Sequence, residues 1–557
     1  MRLSPQGSSQ AWLATVGLVL LALALRVWAL DFGLPLAEAR PDELTIAFQA
    51  MKFGRGDLNP HSFNYPSLFK YCMFGLFGVY YAVGRVVGHF AGQEDFLRSF
   101  FDGAVSFRLL MRAWSAVLGT IGVGLLVRGP GGRWGALLLA VAFLHVRDSH
   151  FGVTDITMVT LATGAVLAAD ALRRDGSARM ALLAGVLAGL ATSTKYNAGL
   201  LCVPIAVAAL LAPGPRARLL AVGGAAMVGA FLLGTPYALL DFGTFRTDFL
   251  FELNHLASGH YVSVGNAWLY HLTASLRWGL GAPLLAAGLL GVAVAFAADR
   301  RAALVLYSFP VLYFLAIGRG ETAFYRYILP VVPFLCMAAG ALVARVASQR
   351  GVGIAAVLAV ALAAPTALST VTALRVMAAG DTRDAMGAWI EANVPTESVL
   401  VHAGAYTGAP MLQRNVANQT REFEAKAGRA DSAGFRKPDE LKWYARDRPM
   451  YDVLFVEKEG IDFASQRPVA ALLADPPPWL MVEESPLVHY SAVPDAVAAL
   501  ARDRYTLVHT EAATDGATDA PVYDQQDAFY LPAARLQGFS RMGPTLRLYR
   551  LRAAGAE

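Results

Sequence analysis

Two adjacent acids, Asp42 and Glu43, follow shortly after an apolar run at Ala11–Leu30. A carboxylate held beside a membrane can act as a general base on an acceptor hydroxyl or amine, or can hold a divalent cation. The pair would equally suit a helix start, where acids meet the positive end of the dipole. A second cluster, from His145 through Arg147, Asp148 and His150 to Asp155, interrupts two apolar segments. Charge at membrane depth is costly and usually marks function. Asp155 opens the next apolar stretch, so it reads as a second site acid or as a helix cap.

Cations stand at comparable places. Lys195, in Thr194-Lys195-Tyr196-Asn197, lies between two apolar segments and suits a phosphate or carboxylate partner, or snorkels to the interface. Arg326 and Tyr327 precede Ile-Leu-Pro330, where an arginine can grip a phosphate with two parallel hydrogen bonds or serve as an interfacial anchor. Lys70 closes the aromatic stretch Phe63–Tyr71, whose rings read as an interfacial belt, and is a weaker partner for a lipid phosphate. His255, His260 and His271 share one polar stretch, and Asp42 and His255 are the candidate metal residues. A solvated loop is the simpler home for such histidines.

The elements that must hold these groups are membrane spans. The 557 residues are 56% hydrophobic and 16% charged, with a mean hydropathy of +0.45. Each span needs roughly 20 apolar residues. After Ala11–Leu30, apolar segments fall near 66–88, 104–127, 133–147, 155–172, 178–194, 197–212, 217–238, 276–298, 302–318, 323–347 and 352–378. The expected fold is a polytopic α-helical membrane protein of about 11–13 spans, with outer loops at 31–65 and 239–275. Beyond residue 380 a charged, Pro-containing texture predicts an extracytoplasmic α/β domain, 380–557. It should hold a helix over Thr382–Asn393 and strands at Ser398–Val401, Val453–Val456, Leu480–Val482, Thr506–His509 and Leu546–Leu551.

Residues 380–557 hold 19 Lys+Arg against 25 Asp+Glu, so of the chain's 47 and 42 the first 379 residues hold 28 and 17. The excess base belongs to cytoplasmic loops, not to a nucleic-acid surface. Arg173-Arg174, Arg216 to Arg218, Asp299 to Arg301 and Arg345 to Arg350 occupy alternate connections, which turns Asp155, Lys195, 239–275 and Glu321–Arg326 outward. Twelve crossings from a cytoplasmic N-terminus would leave residue 380 inside, so one segment between 66 and 147 must be split or must not cross. Ala11–Leu30 is longer than a signal-peptide core and reads as a retained span. Cys72, Cys202 and Cys336 all lie in apolar segments and suggest no disulfide framework. Asn418-Gln419-Thr420 has the form of an N-glycosylation acceptor.

In order and position, these pieces resemble the C-type (GT-C) glycosyltransferases, in the branch that uses polyprenyl-phosphate sugars. That branch includes protein O-mannosyltransferases and aminoarabinose transferases. The resemblance rests on Pro41-Asp42-Glu43, Asn64-Tyr65-Pro66-Ser67-Leu68, Arg147 to Asp155, Thr194-Lys195-Tyr196, Arg326-Tyr327-Ile-Leu-Pro330, and Asp381-Thr-Arg383 to Pro395. It implies that Asp42 is the catalytic or metal-linked carboxylate, assisted by Glu43, with Asp155 as second acid. Lys195, Arg326, Tyr327 and Lys70 would then bind the donor phosphate. The implied enzyme is an inverting hexosyl- or pentosyltransferase of the plasma (inner) membrane, with its site outside. Its partners would be a polyprenyl-phosphate sugar, the bilayer and an acceptor that is protein, lipid or glycan. A divalent cation is compatible with this chemistry, and no nucleotide cofactor is expected. The alternative is a polytopic transporter or lipid flippase. Transporters often carry a repeat of spans and sites near the midplane, whereas these charged clusters sit at span ends.

Overall fold

The first apolar run forms helix α1, Pro5–Val27, followed by α2 (Pro41–Lys52), α3 (Leu68–Val86), the short α4 (Gln93–Phe101) and α5 (Val105–Leu126). The computed structural model describes residues 5–426, 448–458, 465–514, 516 and 520–553. The apolar segment near 133–147 is divided into α6 (Gly132–Val141) and α7 (Phe143–Asp148) by a single extended residue, Ala142, at φ −64° and ψ 114°. Buried Arg26 of α1 secures the break. Its guanidinium donates to the carbonyls of Leu139 (3.3 Å) and Ala140 (3.2 Å) at the end of α6 and meets His145 Nδ1 at 2.8 Å. A cation at a helix C-terminus satisfies carbonyls that have lost their helical partners.

The chain continues through α8 (Thr154–Asp175), α9 (Ala178–Thr192), α10 (Cys202–Leu211), α11 (Arg216–Gly234), α12 (Tyr237–Leu240) and α13 (Phe242–Ser258). Then come α14 (Ala267–Tyr270), α15 (Arg277–Leu280), α16 (Ala282–Ala298), α17 (Arg300–Ile317), α18 (Val332–Arg350) and α19 (Val352–Ala378). Among the described residues six helical stretches are long and apolar enough to cross a membrane. The stretch Ala267–Ala298, bent by 113°, would be a seventh. Ala11–Val27, Gly132–Val141, Ala178–Thr192 and Tyr196–Leu211 are apolar but shorter. At 1.5 Å per residue, the 15 residues of α9 reach only about 22 Å of a roughly 30 Å core.

Two compact units emerge. One holds residues 1–30, Thr45–Tyr80 and Arg108–Leu374. The other holds Asp31–Leu44, Tyr81–Phe107 and Arg375–Glu557, so the C-terminal residues share their unit with two pieces of the N-terminal half. This division bears on the count of crossings. Helix α3 is not among the stretches apolar enough to cross, and its end returns to the unit that holds the first loop.

The C-terminal residues form α20 (Thr382–Asn393), α21 (Val416–Lys426) and strands β1 (Val399–Ala403), β2 (Gln413–Arg414), β3 (Met450–Val456), β4 (Gln466–Arg467), β5 (Trp479–Glu484), β6 (Tyr505–Glu511) and β7 (Thr545–Leu551). The expected helix and strands are present in an α/β arrangement. The sheet order is β2-β3-β1-β5-β7-β6 with β4 beside β3; β1, β3 and β5 run parallel, and β7 is antiparallel to both neighbours. Side chains alternate between faces. Leu400, Met481 and Leu548 pack with Met386 and Ile390 of α20, while Val401, Leu480 and Val482 pack with Val497 and Leu500. Asn418 of the Asn-Gln-Thr triplet lies on helix α21, not in a loop, and is fully buried, donating to Asp452 Oδ1 at 3.1 Å and to the Val453 carbonyl.

Candidate active site

Four motifs meet in the membrane unit. Val153 is extended (φ −128°, ψ 177°), which starts α8 at Thr154 and places Asp155 in its first turn, buried. Asp155 does not cap the helix; it accepts from Lys195 Nζ at 2.6 Å. Lys195 is itself extended between α9 and the 3-10 turn Tyr196–Leu201, and its ammonium lies 4.9 Å from the Tyr327 ring centroid. Burial works against charge on Lys195, but the Asp155 carboxylate, with Tyr313 and Tyr327, more than offsets this and holds its pKa above the usual lysine value. Neighbouring Tyr196 donates to the Phe63 carbonyl at 2.8 Å, and the Leu68 amide donates to the Ser193 carbonyl at 3.2 Å. The Asn64–Leu68 motif is thereby pinned to the Lys195 turn. Lys70 is buried, donating to the Ser62 carbonyl at 2.7 Å.

Arg326 is buried in the 3-10 turn Tyr325–Val331, with its guanidinium 4.7 Å from the Phe324 ring centroid. In this turn it is Tyr327 that meets Lys195, while Arg326 packs on Phe324.

Asp42 and Glu43 occupy the first turn of α2, as acids at a helix start should. They belong to the other unit, whereas Asp155, Lys195, Lys70, Arg326, Tyr327 and His255 belong to the membrane unit. Asp42 is 35% exposed and lies 3.7 Å from Arg40; Glu43 is fully buried rather than solvated. Arg40 in turn makes two hydrogen bonds to Asp527, at 2.8 and 2.9 Å. Nearby in sequence to the domain junction, Arg383 grips Asp381 at 2.6 and 2.8 Å and donates to the carbonyls of Thr407 and Glu38. Sequence reading missed Arg40 and Asp527, which lie 487 positions apart.

Of the second cluster, only Asp155 turns to the site. Arg147 pairs with Asp148 at 2.9 Å, and His150 bonds the Val146 and Trp28 carbonyls. Among the described residues no three His, Cys, Asp or Glu converge as a metal-holding group. Asp42 and His255 lie in different units, and the His255 ring stacks on Phe251 and meets His260 edge-on. His271 is in the core, beside Ser275 Oγ at 3.2 Å, and is not a loop ligand.

Sequence reading also overlooked α13, which lay inside what looked like a polar loop. Asp248 accepts from the Phe63 amide at 2.6 Å, and Phe249 sits 5.0 Å from the Tyr196 ring. Glu252 is partly buried, and this burial, with Asp248 adding and Lys195 opposing, pushes its carboxyl up to about 6. The only advance signal was acids and aromatics at helical spacing.

Residues 103–238 match the family model described as dolichyl-phosphate-mannose-protein mannosyltransferase. No curated protein is similar enough in sequence to match. The apo crystal structure of ArnT from Cupriavidus metallidurans aligns at 16% identity and TM-score 0.50, over 90% of this chain and 96% of that one. The same enzyme bound to undecaprenyl phosphate aligns at 16% identity and 0.49, over 100% of both chains. The apo oligosaccharyltransferase of Archaeoglobus fulgidus aligns at 13% and 0.44, over 70% of this chain and 62% of that one. The resemblance read from the motifs is borne out: the chain has the GT-C glycosyltransferase fold, and its residues 103–238 match the family model described as dolichyl-phosphate-mannose-protein mannosyltransferase.

Proposed function

We propose that the protein is a membrane glycosyltransferase that moves a sugar from a polyprenyl-phosphate carrier to an extracytoplasmic acceptor. The observation that carries this reading is the largely buried Asp155–Lys195 pair with Tyr327, inside and beside the segment that matches the family model described as dolichyl-phosphate-mannose-protein mannosyltransferase. Of its three ammonium protons Lys195 commits one to Asp155, which leaves donors for a phosphate oxygen. Arg326 would supply a second cation. Both would stabilise charge as it develops on the leaving phosphate. Asp42 takes the acceptor's proton, and displacement at the anomeric carbon inverts it. The outer face of a plasma (inner) membrane is the proposed setting.

Purified protein in lipid, given a panel of radiolabelled polyprenyl-phosphate sugars beside an Asp42→Ala control, tests this. Sugar release that needs Asp42, with donor binding retained by the variant, is the expected result. A folded protein that engages no donor would return the reading to transport.

A further inference from the structure

We infer that Glu252 is the general acid of this reaction, giving its proton to the leaving phosphate oxygen at the Lys195 site. This rests on the glycosyl-transfer reading above. The placement comes from the helical period of α13. Residues Thr244, Phe245, Asp248, Phe249, Glu252, His255 and Leu256 are the partly covered ones, and they fall on one side of the helix. Phe242, Leu250, Phe251 and Leu253 are exposed. The covered face is anchored to the site by its neighbours. Phe245 lies 5.7 Å from Phe63 and 6.0 Å from Tyr196, Phe249 lies 5.0 Å from Tyr196, and Asp248 accepts from the Phe63 amide. Glu252 is one turn beyond Asp248 on that face, so it faces the Lys195–Tyr196 turn, and it interacts electrostatically with Lys195, Asp248 and Tyr196.

The chemistry fits a phosphate monoester. When the C1–O bond breaks, its electron pair stays on the phosphate oxygen, and the proton of Glu252 moves to that oxygen. The acceptor atom bonds C1 and its proton passes to Asp42. Products are the glycoside and a monoprotonated phosphate monoester, and exchange with water resets both carboxyls. A phosphate monoester has a second pKa near 6, and an acid works best when matched to its partner and to the working pH. A carboxyl at about 6 meets that condition. The charged and titratable groups around it are Lys195 and Tyr196 on the α9 side, Lys70 of α3 facing Asp248, Asp248 and His255 of α13 itself, and Glu321, which packs at the end of α13.

The test uses the full chain in lipid, with a donor sugar that the wild type transfers. Turnover is followed from pH 5 to 8 for the wild type, Glu252→Gln and Glu252→Asp. The wild-type rate should fall about tenfold per pH unit once well above the carboxyl's pKa. Glu252→Gln should be slow and lack that limb, while Glu252→Asp should restore a limb. A Gln variant with the wild-type pH profile would overturn the assignment. A second arm measures binding of a polyprenyl phosphate monoester without sugar. Its affinity should drop more steeply with rising pH in the wild type than in Glu252→Gln, because the ionised carboxylate repels the dianion. If no donor is turned over but this difference is seen, Glu252 still faces the phosphate and the transfer reading alone fails. Equal pH dependence in both proteins would refute the role of Glu252.

Discussion

The Asp155–Lys195 pair is both the candidate donor clamp and a structural liability. Asp155 is buried and the Lys195 side chain is only 12% exposed, so removing one leaves a poorly compensated charge, at a cost of up to about 3–5 kcal/mol. Asp155→Asn should therefore lower the thermal midpoint in detergent. It should also change the sign of the pH response. In the wild type the pKa of Lys195 is raised by its partner. Its stabilisation is fully present below the unfolded lysine value of about 10.4 and is lost only as pH rises through the higher folded value. Without Asp155, burial alone would lower the folded pKa. The unfolded state would then bind more protons, and stability would climb as pH rises toward the unfolded value. Unfolding midpoints at pH 7, 9 and 10 separate the two cases; a parallel response in both proteins would mean that Asp155 does not hold the lysine's charge.

At the scale of elements, the apolar segments and most of the C-terminal strands were legible because length and period are local properties. The breaks were not. Ala142 divides α6 from α7 inside an unbroken apolar run, and the break persists because Arg26 takes up carbonyls at the end of α6 while Thr366 accepts from the Phe143 amide and Thr370 donates to the Val141 carbonyl. Helix α13 was hidden for a related reason: its acids made it look like loop until the covered face was known. Small residues decide how the short span-like helix α9 is held. Gly185 and Gly189, four apart, lie against α11 so closely that a Cβ would meet the Gly223 carbonyl oxygen at 2.3 Å and the Met227 carbonyl oxygen at 2.2 Å. Backbones approach this way where small residues repeat at that spacing. Gly189→Val should cost about 1–3 kcal/mol by overpacking and displace the α9 end that leads into Lys195, reducing donor binding as well. Gly229→Ala on α11, with nothing within 4 Å of its added carbon, is the matched control. Equal thermal midpoints for the two variants would contradict this packing.

At the scale of the whole molecule, the candidate residues were legible one by one, but their grouping was not. Asp42 and Lys195 look alike from the sequence, as charges at span ends, yet they belong to different units. What joins the unit that holds the C-terminal residues is equally non-local. Its three segments are stitched by buried polar bonds: Arg40 holds Asp527, and Arg383 reaches the Glu38 carbonyl. Phe32 also meets Phe529 edge-on at 6.0 Å. A linear cut at residue 375 would keep the sheet but remove Arg40, Glu38 and Phe32. Asp527 would then lose the cation that compensates it. Residues 375–557 produced alone should therefore unfold more easily than the same residues within the full chain. Arg40→Met in the full chain should reproduce part of the loss, on the order of 3 kcal/mol for breaking a largely buried pair. The double variant Arg40→Met with Asp527→Leu should recover part of it, since the Asp527 carboxylate is no longer left without Arg40, although Asp42, 3.7 Å from Arg40, still loses that cation. If the single and double variants unfold at the same midpoint, the Arg40–Asp527 bond is not what ties the first loop to the C-terminal sheet. If they separate as expected, the first loop is a built-in part of that domain, and the acids of α2 are positioned from both ends of the sequence.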